Sequence, residues 1–140
     1  MNDSENEAPA SAMTSVLLAD DDEDILELVR LGLSGHGFEI LLARDGASAF
    51  ATAREQKPAV ALLDVAMPEL DGYQVASALK DDPATKDIFV ILFTARAQPT
   101  DVEKGYEAGA DDYITKPFTL KALQSRVFAA LDQVTGIAHQ

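Results

Sequence analysis

The stretch VLLADDDEDILELVRLGLSGHG, residues 16–37, decides how the chain is read. Four apolar residues, Val16 to Ala19, run without a break into five consecutive acids, Asp20-Asp21-Asp22-Glu23-Asp24. A helical pattern follows over about Asp22 to Ser34, with Ile25, Val29 and Leu33 on one stripe, and the Gly35-His36-Gly37 segment supplies its stop. A short unbroken apolar run fits a strand covered on both faces of a parallel sheet, and the amphipathic helix fits the crossover that such a sheet requires.

Working outward, the same unit recurs along the chain. Further strands are expected at Phe38–Ala43, Ala59–Leu63, Ile88–Phe93 and Asp112–Thr115. A second helix is expected from Gly46 to Gln56, with Ala47, Phe50 and Ala51 facing inward. A third, from Gly72 to Lys80, buries Val75 and Leu79 and stops before Asp81-Asp82-Pro83, because the residue preceding a proline is pushed out of helical geometry. A fourth, Thr100 to Ala108, has only Val102 and Tyr106 as large apolar residues; the last, Thr119 to Val134, carries Leu120, Leu123, Val127, Leu131 and Val134 in one stripe. Alternating units of this kind predict an α/β fold: a single doubly wound, five-stranded parallel sheet, flavodoxin-like (βα)5, in strand order 2-1-3-4-5. One domain is expected over residues 15–135, between a disordered acidic tail over 1–14 and a C-terminal tail over 136–140.

Composition narrows the function. The 140 residues include 24 Asp+Glu against 11 Lys+Arg, for a net charge of −13, with no Cys and two His, His36 and His139. Disulfides, thiolate nucleophiles and Cys-ligated zinc are thereby excluded, and any metal should be a hard, oxygen-bound cation. The acidic excess argues against direct contact with nucleic acid or anionic lipid. The longest aliphatic or aromatic run is the six residues Ile88 to Phe93, too short to span a bilayer, so no membrane partner and a cytoplasmic location are expected.

In an open parallel sheet, ligands bind beyond the carboxyl ends of the strands, where the strand order reverses. Here that point lies between the first and third strands, which run into Asp20-Asp21 and into Asp64. Strand four ends at Thr94-Ala95, and strand five at Lys116-Pro117. Converging carboxylates repel unless a cation sits among them, and Mg²⁺ suits one or two carboxylates plus a phosphate oxygen. A metal, a carboxylate nucleophile, a lysine and a hydroxyl are the parts of a phosphoryl-transfer site.

The segments VLLADDDEDI (16–25), LLDVAMPELDG (62–72), ILFTARA (91–97) and GADDYITKPF (109–118) resemble, in order and spacing, the receiver domain of bacterial two-component response regulators. The resemblance implies that Asp64 is the phosphoacceptor and that Asp20, Asp21, Asp64 and the backbone carbonyl of Ala66 hold Mg²⁺, or Mn²⁺ in its place. It implies Thr94 and Ala95 beside the phosphoryl group, Lys116 as its counter-charge, Tyr113 as an aromatic switch, and a cis peptide between Lys116 and Pro117. The implied donor is a sensor histidine kinase or a histidine phosphotransfer protein, and the implied reader is a downstream protein or an output domain. Asp111, Asp112, Arg126 and Phe128 are the candidate interface, with a homodimer through helix four, strand five and helix five as one use of it. Such a domain is a signalling switch rather than an enzyme, catalysing only its own phosphorylation and dephosphorylation. Two other readings compete: a phosphorylation-independent docking module, and an aspartyl-phosphate hydrolase. The hydrolase is disfavoured because Ala66 stands where it needs a second acid.

Overall fold

In the computed structural model, which describes residues 14–136, ten elements alternate strictly. They are β1 (Ser15–Ala19), α1 (Glu23–Leu33), β2 (Glu39–Ala43), α2 (Gly46–Gln56), β3 (Val60–Leu63), α3 (Gly72–Asp81), β4 (Phe89–Thr94), α4 (Pro99–Ala108), β5 (Asp112–Thr115) and α5 (Leu120–Thr135). The strands form one parallel sheet in the order β2-β1-β3-β4-β5, as the alternation predicts. The acidic tail expected over 1–14 lies, apart from Thr14, outside the described residues, as does the C-terminal tail beyond Gly136.

Strand alternation divides the core. Leu17, Ala19, Ala61, Leu63, Val90 and Leu92 point to one face, where α2, α3 and α4 cover them through Ala49, Ala53, Val75, Leu79 and the partly buried Val102. Val16, Leu18, Val60, Leu62, Ile91 and Phe93 point to the other, against Leu26, Val29 and Leu33 of α1 and Leu123, Val127 and Leu131 of α5. Apart from Ser15, β1 and β3 are therefore apolar at every position, the pattern by which the sequence marks them as strands.

Helix limits follow capping chemistry. Asp22 caps α1, its carboxylate accepting from the N–H groups of Asp24 at 2.9 Å and Ile25 at 3.4 Å. Asp71 and Gln74 form a reciprocal capping box on α3, which holds the start of that helix next to the loop after β3. Gly109 ends α4 with φ of 113°, a left-handed conformation that glycine adopts without strain.

Three helix faces differ from the sequence pattern. In α2, Ala47 and Ala51 are exposed, whereas Gly46, Ala49 and Ala53 are buried and Phe50 is half-buried. Gly46 fixes that phase: its N–H donates to the Pro68 carbonyl at 3.1 Å, and an added Cβ would collide with the Leu70 carbonyl. Residues three and seven further on share that inward face. In α1, Leu26 replaces Ile25 as the buried residue, and Ile25 moves to the rim. In α5, Ala130 is buried and Val134 is exposed, the stripe ending one turn earlier than the pattern suggests.

Candidate functional site

Register brings the acids together. Ala19 pairs with Leu63 at the last rung of β1 and β3, so Asp20 and Asp64 emerge side by side immediately beyond it. The ladder continues one step further, with the Asp64 N–H donating to the Ala19 carbonyl at 2.9 Å. On the next strands Thr94 pairs with Thr115, and the Lys116 N–H donates to the Thr94 carbonyl at 2.8 Å. Four strand ends thus deliver Asp20, Asp64, Thr94 and Lys116 to one edge of the sheet.

Within that edge, Asp20, Asp21 and Asp64 can each offer a carboxylate oxygen, all lying within 4.8 Å of one another. Asp20 is fully buried and Asp64 nearly so, while Asp21 faces solvent. Lys116 Nζ donates to Asp20 Oδ2 at 2.9 Å and stands 3.6 Å from Asp64 Oδ2. The ammonium also lies 4.9 Å from the Phe93 ring centroid, a cation–π contact that helps hold it in place. One lysine cannot neutralise the cluster. Burial, and then the charge of Asp20, push the Asp64 carboxyl up from 3.8 to about 6, against the opposing pull of Lys116 and of the Ala66 and Val65 backbone N–H groups.

This donor set fits a hard dication. Its three ligands are carboxylate oxygens, and the repulsion registered at Asp64 is the kind a bound Mg²⁺ relieves. The loop after β3 is held in a fixed shape beside these acids. The Met67 and Gly72 N–H groups both donate to the Val65 carbonyl, at 3.1 and 2.9 Å, and Gly72 packs so closely that a Cβ would strike the Asp64 carbonyl. Ala66 is exposed within that loop.

The remaining candidates fall into separate groups. Thr94 is buried, its hydroxyl accepting from the Arg96 N–H at 3.3 Å. Tyr113 is 7% exposed, with its ring turned inward and its hydroxyl donating to the Arg96 carbonyl at 2.8 Å. Burial, and next the contact with the Tyr73 hydroxyl, push its phenol above the ordinary tyrosine range, so it remains a protonated donor at neutral pH. The Lys116–Pro117 peptide is cis. Asp111 pairs with Lys80 at 2.9 Å, and Asp112 pairs with the Arg126 guanidinium through both of its oxygens. Phe128 stands apart from those pairs, its ring 4.9 Å from His36 and 6.3 Å from Phe38 at the α1–β2 side of α5.

Two features carry no signal in the linear pattern. One is an open apolar groove of about 390 Å³ beside the acids, lined by Ile25, Leu28, Ala95, Lys116, Pro117 and Phe118. It forms because Ile25 sits at the rim of α1 and the segment after β5 runs past it; exposed Leu28 alone would be unremarkable. The other is Tyr73, at the start of α3, which meets Tyr113 from 40 residues away.

A family model described as the response regulator receiver domain matches residues 16–128. Among curated proteins, the transcriptional regulatory protein PrrA of Mycobacterium bovis is 45% identical over 116 residues, covering 83% of this chain and 49% of PrrA. The DNA-binding dual master transcriptional regulator RpaA of a Synechocystis species is 39% identical, covering 89% of this chain and 52% of RpaA. This chain therefore spans about half the length of the curated relatives it matches. Among solved structures, the signal receiver domain of a signal transduction histidine kinase from Syntrophus aciditrophicus superposes with a TM-score of 0.81 at 34% identity, over 89% of this chain and 94% of that one.

Proposed function

The chain belongs to the response regulator receiver family, whose role is phosphorylation-activated signalling, and we propose that Asp64 is the residue that accepts the phosphoryl group. The observation that carries the proposal is the arrangement around its carboxylate: a buried, electrostatically stressed acid flanked by Asp20, with Lys116 Nζ within 4 Å of both. In the transfer, an Asp64 oxygen forms a bond to phosphorus as the phosphorus–nitrogen bond of a donor phosphohistidine breaks, and the departing imidazole nitrogen takes a proton from solvent. Lys116 is set to balance charge on the arriving phosphoryl oxygens, and Thr94 is one strand away with a hydroxyl that can donate to one of them. Asp20, Asp21, Asp64 and the Ala66 carbonyl would hold Mg²⁺, or Mn²⁺, which neutralises phosphoryl charge when bound.

The donor must bring its histidine to Asp64, so its surface has to cover the apolar groove formed by Ile25, Leu28 and Phe118. A histidine kinase or phosphotransfer protein is that donor in this proposal. The phosphoryl state is passed through Thr94 and Tyr113 to the face formed by α4, β5 and α5, which a downstream protein, an output domain or a second copy reads. The unit responsible is residues 15–135, and its acidic surface is consistent with acting through protein contacts rather than on nucleic acid directly. Among the described residues no helix is long and apolar enough to cross a membrane.

Intact-mass spectrometry after incubation with acetyl phosphate tests the proposal. Addition of one phosphoryl group, dependent on Mg²⁺ and absent in Asp64→Asn, is expected. An unmodified wild-type chain under those conditions would instead support the phosphorylation-independent docking module.

A further inference from the structure

Tyr113 does not reach its inward position alone. Its hydroxyl donates to the Arg96 carbonyl at 2.8 Å, in the loop that follows Thr94, and stands 3.5 Å from the hydroxyl of Tyr73. Tyr73 is itself only 5% exposed, and its hydroxyl donates to the Asp101 carbonyl of α4 at 3.2 Å. Lys104 of α4 closes over the Tyr73 ring, its Nζ 4.7 Å from the centroid. The room for the Tyr113 ring comes from Gly105, where a Cβ would lie 2.8 Å from two of the ring carbons. Two phenol protons thus serve two carbonyls and one facing hydroxyl oxygen in a buried site. Removing either hydroxyl leaves the other with fewer partners where water is scarce.

We propose that Tyr73 is a positioning residue of the switch: it ties α3 to α4 and secures Tyr113 in the buried position, so that the unmodified chain already rests with this aromatic inward. The inference rests on the reading of Tyr113 as the residue coupled to the phosphoryl site. Thr94 ends β4 and Arg96 lies in the loop after it, the Arg96 N–H donating to the Thr94 hydroxyl and its carbonyl accepting from Tyr113. Movement of Thr94 is therefore transmitted to the hydroxyl that Tyr73 faces. The Tyr73 hydroxyl faces Asp101 and Tyr113 rather than Asp20, Asp21 or Asp64, so its contribution is to the conformational equilibrium and not to metal binding.

The test uses beryllofluoride as a phosphoryl mimic on three variants, with ring-labelled tyrosine NMR. The chain has three tyrosines, so the Tyr113 ring signal is assigned by its loss in Tyr113→Ala and followed in Tyr73→Phe, where Tyr106 is the only other tyrosine. Tyr73→Phe keeps the ring and removes the hydroxyl. The outward-to-inward ratio of Tyr113 is expected to rise about fivefold, the scale of one net hydrogen bond. The apparent beryllofluoride affinity should fall by the factor lost from the inward population, while Mg²⁺ affinity stays unchanged. In a Tyr113→Ala background, Tyr73→Phe should have no further effect on beryllofluoride binding. An unaltered Tyr113 signal and beryllofluoride affinity in Tyr73→Phe, or an equal loss of Mg²⁺ affinity, overturns the role of Tyr73. If Tyr113→Ala itself leaves beryllofluoride binding untouched, the switch reading of Tyr113 fails and the role of Tyr73 fails with it. A shift in Tyr113→Ala with none in Tyr73→Phe rejects Tyr73 alone.

Discussion

Replacing Asp64 by asparagine should make the metal-free domain more stable. The folded chain raises this carboxyl from 3.8 to about 6, through burial first and Asp20 second, in a side chain that is nearly inaccessible. Between about pH 4 and pH 6 the folded chain keeps a proton that the unfolded chain has released. Stability therefore falls as pH rises through that window, and the loss is complete above it. The full cost at neutral pH is about 3 kcal/mol. Asparagine removes the charge but gives up the attraction of Lys116, 3.6 Å away, which then serves Asp20 alone. A net gain of ~1–2 kcal/mol is expected, or roughly 5 °C in Tm for a domain of this size. The assay is thermal unfolding in chelator, wild type against Asp64→Asn, from pH 4 to pH 8. The two curves should lie close together at the acid end and separate as pH rises, with the variant the more stable. Adding Mg²⁺ should raise the wild type more than the variant, because the ligand binds only the folded state and the variant lacks one carboxylate. A variant equal to or less stable than wild type at pH 7.5 in chelator would mean that the acids are not in repulsion.

Leu28, half exposed on α1 and lining the groove, should matter to the protein donor and not to the chemistry. Leu28→Asp is expected to slow phosphorylation by a histidine kinase about tenfold, through lost apolar burial and an added charge, while labelling by acetyl phosphate and unfolding stability stay near wild type. Equal slowing with both donors would remove the groove from the account. On the face formed by α4, β5 and α5, sedimentation with and without beryllofluoride tests self-association: the predicted mass doubles at high protein concentration, and Arg126→Ala, which frees Asp112, abolishes the increase. A mass that stays monomeric in both states assigns the face to a different partner.

The strands were legible because a sheet covered on both sides favours apolar side chains on both faces, so Val16–Ala19 and Ala59–Leu63 read as unbroken apolar runs. The carboxylate edge was legible for the same topological reason, since the acids begin where those runs end. Helix α2 was not. Its alanines offer no contrast between faces, and its phase is set by the contact of Gly46 with the Pro68–Leu70 backbone, more than 20 residues away. Tyr73 was missed because a single aromatic after Asp71-Gly72 has no periodic partner, and its hydroxyl acts across 28 residues to Asp101 and 40 to Tyr113. The four interface candidates are separated for a related reason. A helical wheel places Phe128 at the rim of α5 but cannot say that His36 and Phe38 fill the space beside it.

One side chain, Asp64, is proposed to carry the phosphoryl group. An aspartyl phosphate is reduced by borohydride to homoserine, so the modified position can be read directly from peptide fragments. After Mg²⁺ and acetyl phosphate, followed by borohydride and proteolysis, homoserine is expected at position 64 and unchanged aspartate at positions 20 and 21. Homoserine at Asp20 or Asp21, or at no position in a chain that has gained the phosphoryl mass, would contradict it.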